Sequence, residues 1–129
     1  QWFENAAQIG AVLESAIPKG TQIVFIENVG NLVCPVAFDL GEDHKIILLS
    51  TPEGEEKPLK YPGAFAAATV IILTKLDLAD VLEWNRTFCL SNIRKINPGA
   101  EVIEVSARKT TGLDGWFDYL KKNMHQASN

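Results

Sequence analysis

The chain has 129 residues, the size of a single domain, and its 47% hydrophobic and 22% charged residues are too apolar a mixture for a disordered chain. Its net charge of −4 argues against nucleic acid as a partner, and no apolar run approaches the ~18 residues that a membrane span needs. Two cysteines, Cys34 and Cys89, are too few for a disulfide framework, so we expect a reducing compartment.

In chain order, the first predicted element is an amphipathic helix. Apolar residues recur at positions 9, 12, 13 and 16, and Pro18 and Gly20 follow them as helix terminators. Four short apolar runs then have the composition of strands that are buried on both faces: residues 22–27, 45–50, 69–74 and 101–105. Residues 51–62, rich in Glu, Lys, Pro and Gly, predict an exposed loop.

Two further helices complete the alternation. One is predicted over residues 81–96, with Asp80 as N-cap and Glu83 closing a capping box. Its apolar residues could face the sheet: Trp84, Phe88, Cys89, Ile93 and Ile96. The last helix is introduced by a second capping box, Thr111 with Asp114, and has one apolar face formed by Leu113, Trp116, Phe117 and Leu120. The pattern predicts an α/β fold, a parallel sheet flanked by helices, with ligands at the carboxyl ends of the strands.

The residues that follow three of the predicted strands carry chemistry. Glu27 and Gly30 could hold a Mg²⁺-bound water and approach a phosphate oxygen, although a polar strand end and a turn glycine would look the same. In Thr74-Lys75-Leu76-Asp77, the aspartate could accept both N–H donors of a guanine edge while the lysine stem covers the ring; the alternative is a solvated lysine and a helix-starting aspartate. In Ser106-Ala107-Arg108, a backbone amide could meet the guanine O6.

The order of these patterns is more specific than any one of them. Acid-x-x-Gly, then x-Lys-x-Asp, then Ser-Ala-Arg, each directly after a predicted strand, is the order found in GTPase domains. The runs FIENVGNLVCP at residues 25–35, FDLGE at 38–42 and KPLKYP at 57–62 make the chain similar to HypB, the nickel-incorporation GTPase family of hydrogenase maturation. The resemblance covers nearly the whole chain.

The resemblance implies a cytoplasmic factor of the SIMIBI class of P-loop GTPases, with the three-layer sandwich of that class. Such a factor binds GTP or GDP with Mg²⁺, forms a homodimer with GTP, and helps to deliver nickel to the large subunit of [NiFe]-hydrogenase, with the nickel chaperone HypA as partner. By position, the resemblance assigns Glu27 and Gly30 to the catalytic switch near Mg²⁺. It assigns nucleotide binding to Thr74, Lys75, Asp77, Ser106, Ala107 and Arg108, and binding of nickel or zinc to Cys34.

Three departures from the family pattern limit what is carried over. No Gly-x-x-x-x-Gly-Lys-[Ser/Thr] phosphate loop occurs in the 129 residues, so we expect residues 1–129 to be a partial GTPase domain, without its N-terminal part and without useful hydrolysis alone. Thr74 stands where the family usually has Asn, which puts guanine affinity in doubt. The Cys-His pair that normally completes the metal site is absent.

Two other functions stay open at this stage. The chain could be a degenerate, non-catalytic relative that acts as a dimerisation or partner-binding module. It could also be an unrelated flavodoxin-like binding domain whose strand ends only mimic GTPase motifs. Whether the chain is a partial GTPase domain or a degenerate relative, an open strand edge beside residues 23–26 predicts pairing with another chain.

Overall fold

The computed structural model describes residues 6–27 and 43–127, which belong to two units, Gln1–Asp43 and His44–Asn129. In the first unit, helix α1 spans Ala6–Ala16, as the periodicity predicts. A turn that contains Pro18 follows it, closed by the bond from the Thr21 amide to the Pro18 carbonyl, with Gly20 at φ 85°. The predicted helix and its terminators are confirmed.

The predicted strand at residues 22–27 is wrong for this structure, because residues 21–27 have no regular secondary structure. Val24, Phe25 and Ile26 are 45%, 64% and 41% exposed. Apolar, β-branched composition reports a tendency toward burial, whereas a strand also needs a neighbour that pairs with its backbone. Among the described strands, none pairs with this segment.

The second unit contains a parallel sheet of three strands in the order β1-β2-β3, namely β1 Ile46–Ser50, β2 Val70–Thr74 and β3 Glu101–Glu104. The register aligns Leu48 with Ile72 and Ile72 with Ile103. The three later runs of apolar residues therefore form the strands that the sequence predicts, in the parallel arrangement expected from their composition.

The connection from β1 to β2 corrects the prediction of an exposed loop. It forms a 3₁₀ turn at Thr51–Glu53 and two short helices, α2 Lys57–Lys60 and α3 Pro62–Ala67. Thr51 and Pro58 are buried. Proline and charge predict surface exposure on average, but Pro at the first turns of a helix is also a normal helix start.

Helix α4, Arg86–Ile96, begins five residues later than predicted. Its N-cap is Asn85, whose side chain accepts the Phe88 amide at 3.0 Å, so Asp80 and Glu83 are not its capping box. Glu83 has φ 52°, in the left-handed region, within the turn that precedes the helix. The pattern of apolar residues continued through this turn and concealed the helix start.

Helix α5, Leu113–Ala127, covers one face of the sheet. The cluster on that face is Val70, Ile72, Ile103, Val105 and Tyr119, with Ile46, Leu113 and Trp116 packed against it. Phe117 is exposed and Tyr119 is buried, which corrects the predicted face of this helix. The Tyr119 hydroxyl is 2.7 Å from Nδ1 of His44, just before β1, and the Tyr119 ring stacks on Trp116.

The opposite face of the sheet is buried as well. Leu49, Ile71 and Leu73 alternate with the first cluster and are fully buried, as are Phe65 of α3 and Cys89 and Ile93 of α4. Burying each such aliphatic side chain contributes about 1.5–3 kcal/mol. Helices therefore flank the sheet on both faces, as a sheet of continuously apolar strands requires. None of the described helices is long and apolar enough to cross a bilayer.

Candidate functional site

The site is built where the carboxyl ends of β2 and β3 meet. The Val105 amide donates to the Leu73 carbonyl at 2.8 Å, and the Leu76 amide donates to the Val105 carbonyl at 3.4 Å. Beyond these backbone bonds, the Ser106 hydroxyl donates to Oδ1 of Asp77 at 2.7 Å. The structure thus brings together two of the three groups of residues that the sequence predicts for one site.

The loop after β2 is fixed by its backbone. Lys75 adopts a left-handed conformation, φ 57° and ψ 37°, and Asp77 follows in a 3₁₀ turn, Leu76–Leu78. The Lys75 carbonyl accepts two hydrogen bonds, from the Leu78 amide at 3.0 Å and from the buried hydroxyl of Thr51 at 2.8 Å. Thr51 was missed by the sequence reasoning, because it lies in the segment predicted as an exposed loop.

The loop after β3 is closed on itself. The Ser106 amide donates to the Thr111 carbonyl at 2.9 Å and the Thr111 amide donates to the Ser106 carbonyl at 3.0 Å. Because α5 begins at Leu113, the residue at its N-cap position is Gly112 and not Thr111 as predicted. Gly112 follows with φ 75°, and a Cβ there would overlap the Glu104 carbonyl oxygen. The closed loop presents Ala107 and Arg108 at its exposed tip.

The electrostatics of this corner keep Asp77 ionised. The hydrogen bond from Ser106 is the main cause that lowers its pKa below the ordinary value of 3.8, with Arg108 and Lys109 adding positive charge nearby. A folded-state pKa below the unfolded value means that this carboxylate contributes stability above pH 3.8, and the contribution is lost as the pH falls through the folded pKa. At neutral pH, Asp77 is therefore a fixed, acceptor-only group.

Two ion pairs surround the corner. Arg86 at the start of α4 makes a two-pronged contact with Glu104 at the end of β3, with Nε–Oε1 at 2.6 Å and Nη2–Oε2 at 2.9 Å. On the β1 side, Glu53 accepts hydrogen bonds from Ser50 and pairs with Lys57. Partial burial raises the pKa of Glu53, but the bonds from Lys57 and Ser50 outweigh it and lower the pKa overall. Sequence reasoning missed both pairs, since their members are far apart or lie in the predicted loop.

The remaining predicted site residues fall elsewhere. Glu27 is exposed in the first unit, and Gly30 and Cys34 lie outside the described residues, so the switch pair and the metal ligand stay predictions. In the described ranges, no three His, Cys, Asp or Glu side chains are grouped to hold a metal. Cys89 is a core residue, as predicted, and burial raises its pKa to about 11, with the Glu55 and Glu104 charges adding to the effect. Its thiol stays protonated at neutral pH.

What the corner can do chemically follows from its groups. An ionised carboxylate with two acceptor oxygens stands at the carboxyl edge of a parallel sheet. The aliphatic stem of Lys75 and the exposed Ala107 and Arg108 lie on the loops beside it. This edge is where ligands bind in open α/β sheets. Such an arrangement can recognise a planar group that presents adjacent N–H donors.

The sequence of the chain matches a family model and curated proteins. Residues 4–104 match the family model of the CobW/HypB/UreG nucleotide-binding domain. The hydrogenase maturation factor HypB of Rhizobium leguminosarum bv. viciae is 48% identical over 117 residues, which are 91% of this chain and 39% of that protein. The chain therefore spans about two fifths of the length of this relative.

Two solved structures resemble the chain in three dimensions. The crystal structure of HypB from Archaeoglobus fulgidus matches with a TM-score of 0.85 and 33% identity, over 92% of this chain and 58% of that one. HypB from Helicobacter pylori, solved in complex with nickel, matches with a TM-score of 0.72 and 33% identity, over 77% of this chain and 46% of that one. The sheet with its flanking helices is thus the fold of HypB structures, and the chain belongs to the CobW/HypB/UreG nucleotide-binding domain family.

Proposed function

We propose that this chain supplies the guanine-reading part of a GTPase that inserts nickel during [NiFe]-hydrogenase maturation. The observation that carries the proposal is the 2.7 Å hydrogen bond from Ser106 to Asp77, which joins the two sequence groups predicted to read one base. The maturation role is supported by the similarity to hydrogenase maturation factors. Residues 1–129 are proposed as a partial GTPase domain.

The base-reading chemistry follows from the donor pattern of guanine. Its Watson–Crick edge presents N1–H and the 2-amino group side by side, and the two oxygens of an ionised Asp77 accept both. Adenine offers no matching pair, so its binding would take water from the carboxylate without replacing the hydrogen bonds that the water made. Lys75 covers the ring with its stem, and the amide of Ala107 is the proposed donor to O6, with Arg108 at the rim. Ser106 contributes through its hydroxyl, which holds Asp77, because its amide is bonded to the Thr111 carbonyl.

The phosphate and metal roles are proposed from the family resemblance. Glu27 and Gly30 are the proposed switch pair for Mg²⁺ and the γ-phosphate, and Cys34 is the proposed ligand for nickel or zinc, both of which accept thiolate. The nickel-bound structure of the Helicobacter pylori relative supports a nickel role. Since residues 1–129 contain no phosphate loop, the main contribution proposed for them is recognition of the base and not the cradle for the phosphates.

The proposed partners are a second copy of the chain, the nickel chaperone HypA and the hydrogenase large subunit, in the cytoplasm. One structural feature supports the homodimer. In the described sheet β1 is an edge strand, and the side chain of Leu48 at its centre, on the same face of the sheet as Ile72, is 60% exposed. An apolar edge strand is a site for pairing with another chain.

The experiment is an amide NMR titration of the chain with GMP, AMP and xanthosine monophosphate. We expect GMP to bind at least roughly tenfold more tightly than AMP and to shift the amides of residues 75–77 and 106–108. Asp77→Asn replaces one acceptor by a donor, which matches the 2-oxo group of xanthine, so its preference should move from GMP to xanthosine monophosphate.

The matched control is Asp80→Asn, the same change at an exposed carboxylate three residues further on, which should keep the preference for GMP. Equal binding of GMP and AMP by the wild-type chain, or unchanged GMP binding by Asp77→Asn, would overturn the proposal and favour the dimerisation or partner-binding module.

A further inference from the structure

The side chain of Thr51 is buried, although the residue lies in the segment that the sequence predicts as an exposed loop. Thr51 directly follows β1 and is 2% exposed, although its neighbours in the 3₁₀ turn, Pro52 and Glu53, are exposed. Its Oγ1 donates to the Lys75 carbonyl at 2.8 Å, across the gap between the ends of β1 and β2. A buried hydroxyl is retained where it satisfies a specific acceptor, and here the acceptor belongs to the proposed base-reading loop.

The Lys75 carbonyl is the point at which that loop changes direction. Lys75 is left-handed, a conformation that costs free energy in any residue with a Cβ. The same carbonyl accepts the Leu78 amide at 3.0 Å, which closes the 3₁₀ turn that carries Asp77. The bond from Thr51 therefore orients a peptide group whose direction sets the position of the Asp77 carboxylate.

The loop is held from the other side by β3. There the Val105 carbonyl accepts the Leu76 amide at 3.4 Å and the Ser106 hydroxyl donates to Asp77. Without Thr51 these two contacts would hold the loop from one side only. The Thr51 turn is itself fixed, because the Ser50 amide and hydroxyl both donate to Glu53, at 2.7 and 2.8 Å.

We propose that Thr51 is a positioning residue for base recognition, acting through the Lys75 carbonyl to hold Asp77 against the bound base. This inference rests on the proposed function for its ligand, while the contact from Thr51 to Lys75 is made within the chain itself. It also gives the turn after β1 a role in specificity: displacement of residues 50–53 would release the base-reading loop.

The test compares three variants of the chain. Thr51→Val keeps the branched shape and removes the hydroxyl, Thr51→Ser keeps the hydroxyl, and Thr69→Val removes a threonine hydroxyl at the opposite end of the sheet, where it accepts the Lys45 amide at 3.1 Å. The first readout is amide hydrogen exchange without nucleotide. We expect Thr51→Val to exchange roughly fivefold faster at residues 76–78, the effect of one lost hydrogen bond, while the other two variants match the wild type there.

The second readout is the affinity for GMP and for inosine monophosphate, which lacks the 2-amino group. In Thr51→Val, GMP should bind roughly fivefold more weakly and the preference for GMP over inosine monophosphate should shrink, with Thr51→Ser restoring both. Unchanged exchange at residues 76–78 in Thr51→Val, or equal effects in Thr69→Val, would overturn the inference. If the wild-type chain fails to prefer GMP over AMP, the proposed function fails, while the exchange data still decide whether Thr51 positions the loop.

Discussion

At the scale of single residues, two glycines with positive φ allow the cost of an unfavourable backbone conformation to be measured apart from the cost of a steric clash. Gly54 has φ 92° and ψ 154°, a region that residues with a Cβ rarely adopt, and open space where a Cβ would lie, so Gly54→Ala should cost about 1–3 kcal/mol, from conformation alone. Gly112 has φ 75°, and a Cβ there would overlap the Glu104 carbonyl oxygen. Since only backbone movement relieves that overlap, Gly112→Ala should cost more than roughly 3 kcal/mol.

Urea unfolding of both variants measures the difference directly. Gly112 joins the loop after β3 to helix α5, so Gly112→Ala should also shift the amide resonances of Ser106 and Thr111, whereas Gly54→Ala leaves them in place. Equal losses of unfolding free energy in the two variants would show that the contact with Glu104 is not a constraint on the fold.

At the scale of elements, the N-cap of helix α4 differs between the sequence-based prediction, Asp80, and the structure, Asn85. Asn85 accepts the Phe88 amide, so Asn85→Ala should lower the free energy of unfolding by about 1 kcal/mol and speed amide exchange over residues 86–88. Asn85→Asp keeps an oxygen acceptor and should retain the cap. Asp80→Ala, at the N-cap predicted from the sequence, should change the unfolding free energy by less than ~0.5 kcal/mol. A larger loss in Asp80→Ala than in Asn85→Ala would instead support the helix predicted over residues 81–96.

Strands were predictable where composition and pairing agree. Runs such as residues 69–74 are buried on both faces and lie between two neighbours, so their apolar content identified them. Residues 22–27 have the same composition without a described neighbour, and they form no strand. Local composition also gave no warning of the left-handed Glu83 before α4 or of the helical turns over residues 51–62. The turn that contains Glu83 is closed by bonds within residues 78–84, and its apolar residues continue the spacing of the helix that follows.

For the candidate site, the sequence predicted which residues come together but not how they contact one another. Asp77 and Ser106 were named from their places after two strands, because parallel strands end at one edge. Their direct hydrogen bond, the left-handed Lys75 and the brace from Thr51 were not, since each is a geometric relation between loops. A buried threonine directly after a strand carries no sequence signal that distinguishes it from an exposed one.

At the scale of the whole molecule, the proposed homodimer depends on the open edge of the described sheet. Leu48 is 60% exposed at the centre of β1, beside the buried Ile72 of β2. A lysine on an edge strand opposes strand pairing, because its charge would have to be desolvated. We therefore expect Leu48→Lys to weaken self-association at least roughly tenfold in sedimentation equilibrium, with little change in the far-ultraviolet circular dichroism spectrum.

Val81→Lys is the matched control, because Val81 is 82% exposed in the turn before α4 and receives the same change in charge. It should leave the dimer dissociation constant within about twofold of the wild type, since a surface change outside an interface has little effect on association. A wild-type chain that sediments as a monomer at high concentration would refute the homodimer. If Val81→Lys weakens association as much as Leu48→Lys, the two copies meet through the turn before α4 and not through the edge of β1.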